Sequence, residues 1–114
     1  MVLLGVCLLS GCKGKEPTDY EKGMENLKKQ NYKEALENFQ GAISAGEDAA
    51  KAWRGAGISW SGQGAFDKAE DAFLTALDFT DKSEENLRTD LNFYLADAQY
   101  HQKEYRACIK TCDE

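Results

Sequence analysis

Apolar side chains between residues 32 and 43 recur every three or four positions, as they do on one face of an amphipathic α-helix. The same spacing returns between residues 66 and 77, with charged and polar residues filling the positions between. The pattern predicts two amphipathic helices, each burying one side. The apolar positions are Tyr32, Ala35, Leu36, Phe39, Ala42 and Ile43, then Phe66, Ala69, Ala72, Phe73, Ala76 and Leu77.

The two stripes belong to a longer sequence pattern that repeats at an offset of 34 residues and includes Gly23 and Gly57. Repetition at this period is typical of stacked helical hairpins, which form binding scaffolds more often than active sites. A third copy stands 39 residues after the second, with Tyr105, Cys108 and Cys112 at its key positions. The longer offset implies a five-residue insertion near residues 79–84, which either lengthens a loop or adds about one turn to a helix.

Capping residues and glycines divide the chain into six predicted helices. Thr18 with Glu21, and Asn31 with Glu34, form capping boxes that predict the first two helix starts. Gly46 is a suitable helix stop. The remaining helices are predicted over about 48–61, 66–79 and 84–101, and from about 105 onward.

These residues resemble tetratricopeptide repeats over residues 19–114. The resemblance implies an all-α fold, a short right-handed α-solenoid with repeats at about 19–46, 48–79 and 84–114, the last incomplete. It implies that Gly23, Gly57 and Ala96 let paired helices approach closely, and that phenylalanine rings are buried between repeats. Tyr32, Phe66 and Tyr105 are expected to pack against the first helix of their hairpins. Cys108 and Cys112 stand where earlier repeats have Ala69 and Phe73, so they are expected to fill the core, with a redox or disulfide role as the alternative.

The resemblance also implies a concave surface, formed by the first helix of each hairpin, that binds a protein or peptide partner. The predicted lining residues are Tyr20, Met24, Leu27, Lys51, Arg54, Ile58, Asp90, Phe93, Asp97 and Tyr100. Ile58 and Asp97 are incompatible with the family's clamp for a C-terminal carboxylate, so an extended or helical peptide segment is expected instead. Packing within the hairpins is the alternative role for any one of these residues.

The first eleven residues are uncharged and apolar, which fits the core of a secretory signal peptide and is too short to span a bilayer. They end in Leu9-Ser10-Gly11-Cys12, which resembles the lipobox of bacterial lipoproteins. That resemblance implies cleavage before Cys12, a covalent diacylglycerol lipid on its thiol and a location outside the cytoplasm, anchored to a membrane. Residues 12–18 would form the anchor and a polar tether. An N-terminal helix packed on the domain is the alternative.

Composition and the absence of catalytic motifs narrow the classes of function that the sequence supports. The chain has 42% hydrophobic residues and a net charge of −6, so it is expected to be globular and is a poor match to nucleic acid. No metal motif, phosphate loop or nucleophile–base arrangement is present, and paired acids such as Glu70-Asp71 are expected to be solvated. His101 is expected to be structural, near a helix end. We expect no cofactor, metal or small-molecule substrate.

The sequence therefore predicts a non-catalytic, membrane-tethered adaptor. The alternative is the substrate-positioning module of a larger envelope enzyme or assembly that extends beyond Glu114. Because no basic segment precedes the apolar run and the last predicted helix has no capping helix, we expect the natural protein to begin before Met1 and to continue past Glu114. Otherwise, the uncovered last helix would meet a partner or another copy.

Overall fold

The structure is a computed structural model that describes residues 16–113, with side chains described up to Glu104. In this part of the chain all regular structure is α-helical, as the sequence predicts. The helices are α1 (Asp19–Lys28), α2 (Tyr32–Ser44), α3 (Ala49–Gly62), α4 (Phe66–Asp78) and α5 (Glu85–Asp113). No described helix is both long and apolar enough to cross a membrane.

Local side-chain chemistry sets most of the helix starts. Thr18 and Glu21 form the predicted capping box at α1: the Glu21 amide donates to Thr18 Oγ1, and the Thr18 amide donates to Glu21 Oε1. Asp48 caps α3 by accepting the amide of Lys51 at 3.3 Å. The second predicted capping box is wrong, because Asn31 caps no amide of α2 and donates to Asn26 Oδ1 instead.

The helices form two antiparallel pairs, α1 with α2 and α3 with α4, followed by α5. Consecutive helices pack together, and the first helices α1, α3 and α5 also contact one another in turn. No residue of α2 comes within 8 Å of α4, measured between Cα atoms. Because the first helices lie closer together than the second helices, they form the inner layer of a curved stack.

Phe39 joins the first hairpin to the second. Its buried ring lies between Gly23 on α1 and Gly55 on α3. A methyl group at Gly23 would stand 2.8 Å from Phe39 Cε1, so only glycine gives the ring this room. The ring therefore stabilises both the pairing of α1 with α2 and the packing of α3 against them.

Phe73 repeats this arrangement one hairpin later. Its ring is buried against Gly57 on α3 and stacks on Tyr94 of α5, with ring centroids 5.5 Å apart. The predicted burial of both phenylalanines between repeats is confirmed. Ala35 and Ala69, at equivalent positions of the two predicted apolar stripes, are also fully buried, as expected.

The rings that open the second helices also reach the following repeat. Tyr32 lies against Gly62 of α3, and Phe66 stacks on His101 of α5 at 4.2 Å. The resemblance predicts contacts within each hairpin, whereas these contacts cross to the next one. The reason is that Gly62 and His101 occupy equivalent positions, 39 residues apart, on the helix that follows.

The third hairpin differs from the prediction. The backbone stays helical from Glu85 to Asp113, so the turn expected after His101 and the separate helix expected from Tyr105 are absent from the described chain. In the first two hairpins the turn uses a left-handed residue, Gln30 with φ 61° or Gly64 with φ 80°. Lys103 holds the equivalent position, and its segment contains neither glycine nor proline to stop a helix.

Two consequences follow for predicted contacts. Ala96 is exposed, unlike Gly23 and Gly57, because no second helix folds back onto it. The side chains of Cys108 and Cys112 lie outside the described part of the chain, so their burial stays a prediction.

The five-residue insertion is divided between a loop and a helix. The connection from α4 to α5 is two residues longer than that from α2 to α3, and α5 starts three residues earlier than its repeat position requires. Within this loop, hydrogen bonds from Ser83 lower the pKa of Asp81. Arg88 on α5 donates to Thr80 Oγ1 at 2.6 Å, fixing the loop to the helix start.

Replacing Phe39 by alanine is expected to lower the free energy of unfolding by about 3–5 kcal/mol, because a large cavity opens where three helices meet. Phe79, which is 56% exposed at the end of α4, provides the matched control. Its alanine variant should change stability by about 0.5 kcal/mol or less. Urea denaturation followed by circular dichroism measures both, and equal losses would contradict the role given to Phe39.

Candidate partner-binding surface

We call the ten residues predicted to contact a partner the first-helix surface. All of them lie on the three helices of the inner layer, as expected: Tyr20, Met24 and Leu27 on α1, Lys51, Arg54 and Ile58 on α3, and Asp90, Phe93, Asp97 and Tyr100 on α5. The helices place them on one layer, but their exposure to solvent differs widely.

Three of the ten contribute to the hydrophobic cores. Tyr20 packs edge-on against Phe39 with ring centroids 5.8 Å apart, and its amide donates to Glu47 Oε1. Leu27 packs on the core of the first hairpin, and Ile58 on the core of the second. These three side chains therefore pack mainly within the hairpins, which is the alternative role expected for residues of this set.

The exposed apolar part of the surface lies mainly on α5. Phe93 is 70% exposed and Tyr100 is 59% exposed, while Met24 on α1 is 37% exposed. Side chains of this kind are costly to leave in water and are enriched where proteins bind each other. They are the strongest candidates for partner contact.

An ion pair joins two of the three inner helices, α3 and α5. Arg54 Nη1 lies 3.6 Å from Asp90 Oδ2, and the Arg54 side chain is only 19% exposed. The Arg54 guanidinium is therefore largely engaged with Asp90 and less available to a partner. Lys51 is exposed at the start of α3, where it lies 3.9 Å from the carboxylate of Asp48.

Acidic groups dominate the outer end of the surface. Asp97 is exposed and lies 3.6 Å from His101 Nδ1. The Tyr100 hydroxyl donates to the Glu104 carboxylate, and this hydrogen bond, with the nearby negative charge, raises the pKa of Tyr100. On α5, Asp97 and Glu104 therefore give the surface acidic groups, whereas Lys51 and Arg54 on α3 each lie beside a carboxylate.

His101 has the structural role expected of it but not the expected position. It lies inside α5 rather than near a helix end, stacked on Phe66 with its Nδ1 3.0 Å from the carbonyl oxygen of Asp97. Within residues 16–104, no cluster of three potential metal ligands forms around it or elsewhere.

The expectation that Glu70 is merely solvated is wrong. Its carboxylate accepts hydrogen bonds from Gln99 Nε2 at 3.0 Å and Gln102 Nε2 at 2.6 Å. These bonds join α4 to α5 on the side away from the first-helix surface. No sequence pattern indicated them, because the pairing depends on how the inserted residues reposition α5.

A crevice between α3 and α4 was not predicted. It encloses about 260 Å³ and is lined by Trp53, Trp60, Lys68, Asp71, Ala72 and Thr75. Lys68 Nζ lies 4.8 Å from the ring centroid of Trp60, a cation–π contact that covers part of the indole. A second, open depression of about 420 Å³ lies along α1 between Pro17 and Lys29. Neither includes a residue of the first-helix surface.

The comparison with protein families agrees with this architecture. The tetratricopeptide repeat family matches residues 20–84, which is more than half of the chain. The chain belongs to the tetratricopeptide repeat family. Repeats of this family generally mediate protein–protein interactions and are typically non-catalytic. Comparisons with curated proteins and with solved structures gave no match.

The match ends at Glu84, immediately before α5. The two repeats it spans are the two complete hairpins, α1 with α2 and α3 with α4. The helix that carries most of the exposed first-helix surface thus lies just beyond the matched repeats.

Replacing Glu104 by glutamine is expected to lower the pKa of Tyr100 toward its ordinary value. The substitution removes the negative charge that disfavours the tyrosinate and weakens the hydrogen bond that holds the phenol. Carbon-13 NMR of ring-labelled tyrosine, followed as a function of pH, measures the change. Glu25 is exposed on α1, so Glu25→Gln is the control and should leave the pKa of Tyr100 unchanged. An unaltered Tyr100 titration in Glu104→Gln would contradict the assigned hydrogen bond.

Proposed function

We propose that this protein is a membrane-tethered adaptor of the bacterial cell envelope that binds a protein or peptide segment on its first-helix surface. The observation that carries the proposal is the exposure of Phe93, at 70%, and Tyr100, at 59%, on the inner layer of a tetratricopeptide repeat stack. Burying such rings against a partner would contribute roughly 1.5–3 kcal/mol each.

The charge distribution supports a segment of mixed chemistry. Asp97 lies between Phe93 and Tyr100 in the sequence of α5, Glu104 follows Tyr100 by four residues, and both acids are exposed. Lys51 is exposed on the neighbouring helix α3. A partner with apolar anchors and a basic residue beside them would complement the acids on α5. Arg54 contributes less than the sequence suggested, because Asp90 already neutralises it.

Site-specific photocrosslinking in intact cells tests the surface. A photoreactive phenylalanine analogue is placed at Phe93, at Met24, or at Leu74, which is 44% exposed on α4. Phe93 and Met24 are expected to capture the same partner, distinct in mass from a pair of these chains, because both lie on the inner layer. Leu74 on the outer layer is the matched control. Capture of the same partner from all three positions, or from none, would refute the assignment.

Charge variants separate recognition from stability in the same assay. Asp97→Lys should weaken capture, whereas Asp71→Lys, an exposed acid on α4, should not. Arg54→Glu combined with Asp90→Arg keeps an ion pair but reverses its direction on the surface. Loss of capture in this exchanged pair, with unchanged thermal unfolding, identifies a role in binding.

The membrane tether rests on the sequence of residues 9–12, which lie outside the described part of the chain. The first described helix begins at Asp19, so the six residues 13–18, or seven Cα–Cα steps, separate it from Cys12. Such a tether reaches at most about 25 Å, which would hold the first-helix surface close to the membrane. Two acyl chains would give the stable attachment that one chain cannot.

Replacing Cys12 by alanine is expected to abolish incorporation of labelled fatty acid and to release the protein from the membrane fraction. The reason is that the proposed thioether needs this thiol. Cys7→Ala, the same substitution inside the apolar run, is the matched control and should keep both properties. Equal labelling of the two variants would exclude lipid attachment at Cys12.

A further inference from the structure

Exposed side chains on α5 recur at intervals of seven residues. Phe93 and Tyr100 are seven residues apart, and their rings are 70% and 59% exposed. Asp90, Asp97 and Glu104 form a second series at the same interval, and all three are exposed. The two series alternate at spacings of three and four residues, as the contact positions of a coiled coil do. We call these five residues the α5 seam.

The α5 seam lies away from the face that packs α5 on the hairpins. In a regular helix its five positions fall within an arc of about 80°. Leu91 and Ala98 are fully buried in the core of the second hairpin. Both point about 130° around the helix from the middle of that arc. Helix α5 can therefore stay packed in the stack while a partner covers the seam.

The spacing along the α5 seam fits a second helix better than an extended strand. Phe93 and Tyr100 are separated by about 10.5 Å along the helix axis. A second helix also returns to the same face every seven residues, over the same distance. A strand covers about 10 Å in three residues, and side chains three positions apart point to opposite faces. Of the extended and helical segments that the sequence leaves open, the helical one matches this periodicity.

The charge of the α5 seam favours a basic helix. Arg54 of α3 lies 3.6 Å from Asp90, so that acid is already paired. Asp97 keeps a side chain that is 47% exposed, and Glu104 is exposed one heptad later. A second copy of this chain would meet these acids with its own acids or its rings, neither of which supplies a positive charge. A partner with basic residues seven positions apart would complement both acids.

We propose that the α5 seam binds an amphipathic helix of a partner protein. Apolar residues of that helix contact Phe93 and Tyr100, and its lysine or arginine residues lie opposite Asp97 and Glu104. The two kinds of residue alternate along it at spacings of three and four, and each kind recurs every seven positions. This inference rests on the proposed function, because it specifies the chemistry of the segment that the first-helix surface binds.

Binding of three synthetic peptides to the full chain tests the inference. Each peptide is about 21 residues long, which covers the seam when helical. The basic peptide carries leucine and lysine alternating at spacings of three and four, on a background of alanine and glutamine. The acidic peptide has glutamate in place of each lysine, and the third is the basic peptide with two internal alanines replaced by proline, which breaks the helix.

Surface plasmon resonance on the immobilised full chain, in an uncharged detergent, measures the affinities. The basic peptide is expected to bind roughly tenfold or more tightly than the acidic and proline peptides, because only it combines the helix with complementary charge. Absence of saturable binding by the basic peptide, or equal binding by all three peptides, would overturn the inference.

Charge reversal locates the binding on α5. Asp97→Lys combined with Glu104→Lys should reverse the preference, so that the acidic peptide binds more tightly. Helix α4 offers a matched control, because Asp71 and Asp78 are also exposed, seven residues apart, on either side of the exposed Leu74. Asp71→Lys combined with Asp78→Lys should keep the original preference. Thermal unfolding followed by circular dichroism checks that both variants fold. A preference that both double variants change equally, or that neither changes, would also overturn the inference.

The peptide assay and the photocrosslinking experiment fail separately. Capture of a partner from Phe93 in cells, with no preference among the peptides, would overturn the basic-helix inference and leave the adaptor role intact. Absence of capture would refute the adaptor role itself, on which the inference rests.

Discussion

The contact of a phenylalanine ring with glycine backbones determines how this chain is organised. Phe39 lies between Gly23 and Gly55, and Phe73 lies against Gly57. Each ring touches its own hairpin and the helix that follows, so hairpin closure and stacking share the same buried surface. Neither step can be completed without the other, which couples neighbouring repeats as nearest-neighbour interfaces do in helical repeat proteins.

The same contact explains what the sequence could predict about the fold. Glycine and phenylalanine sixteen residues apart identify two helices that can pack, and both complete hairpins formed as expected. That spacing says nothing about whether the chain turns between them. The turn depends on one backbone position, held by Gln30, Gly64 and Lys103 in successive repeats, and only the first two adopt left-handed angles. The third hairpin was therefore predicted from its packing residues. The described chain does not form it, because no residue at the turn position adopts a left-handed backbone angle.

The candidate site was predictable in position but not in exposure. Repeat register placed Tyr20 and Phe93 at equivalent sites on two first helices. Whether such a side chain is available depends on the neighbouring second helix: Tyr20 packs against Phe39, whereas Phe93 meets the ring of Tyr94 edge-on and stays largely exposed. The sequence did not predict the Arg54–Asp90 ion pair either, because the pair depends on how the inserted residues divide between loop and helix.

The proposed binding surface depends on helix α5 more than on the two complete hairpins. Phe93 and Tyr100 are mostly exposed on α5, whereas Tyr20 and Leu27, at the equivalent repeat positions of α1, are half-buried. Helix α5 is held against α4 by the stacking of Tyr94 on Phe73 and by the hydrogen bonds of Gln99 and Gln102 to Glu70. These contacts fix the helix that carries the exposed rings without a partner, which lowers the entropy lost when a partner binds.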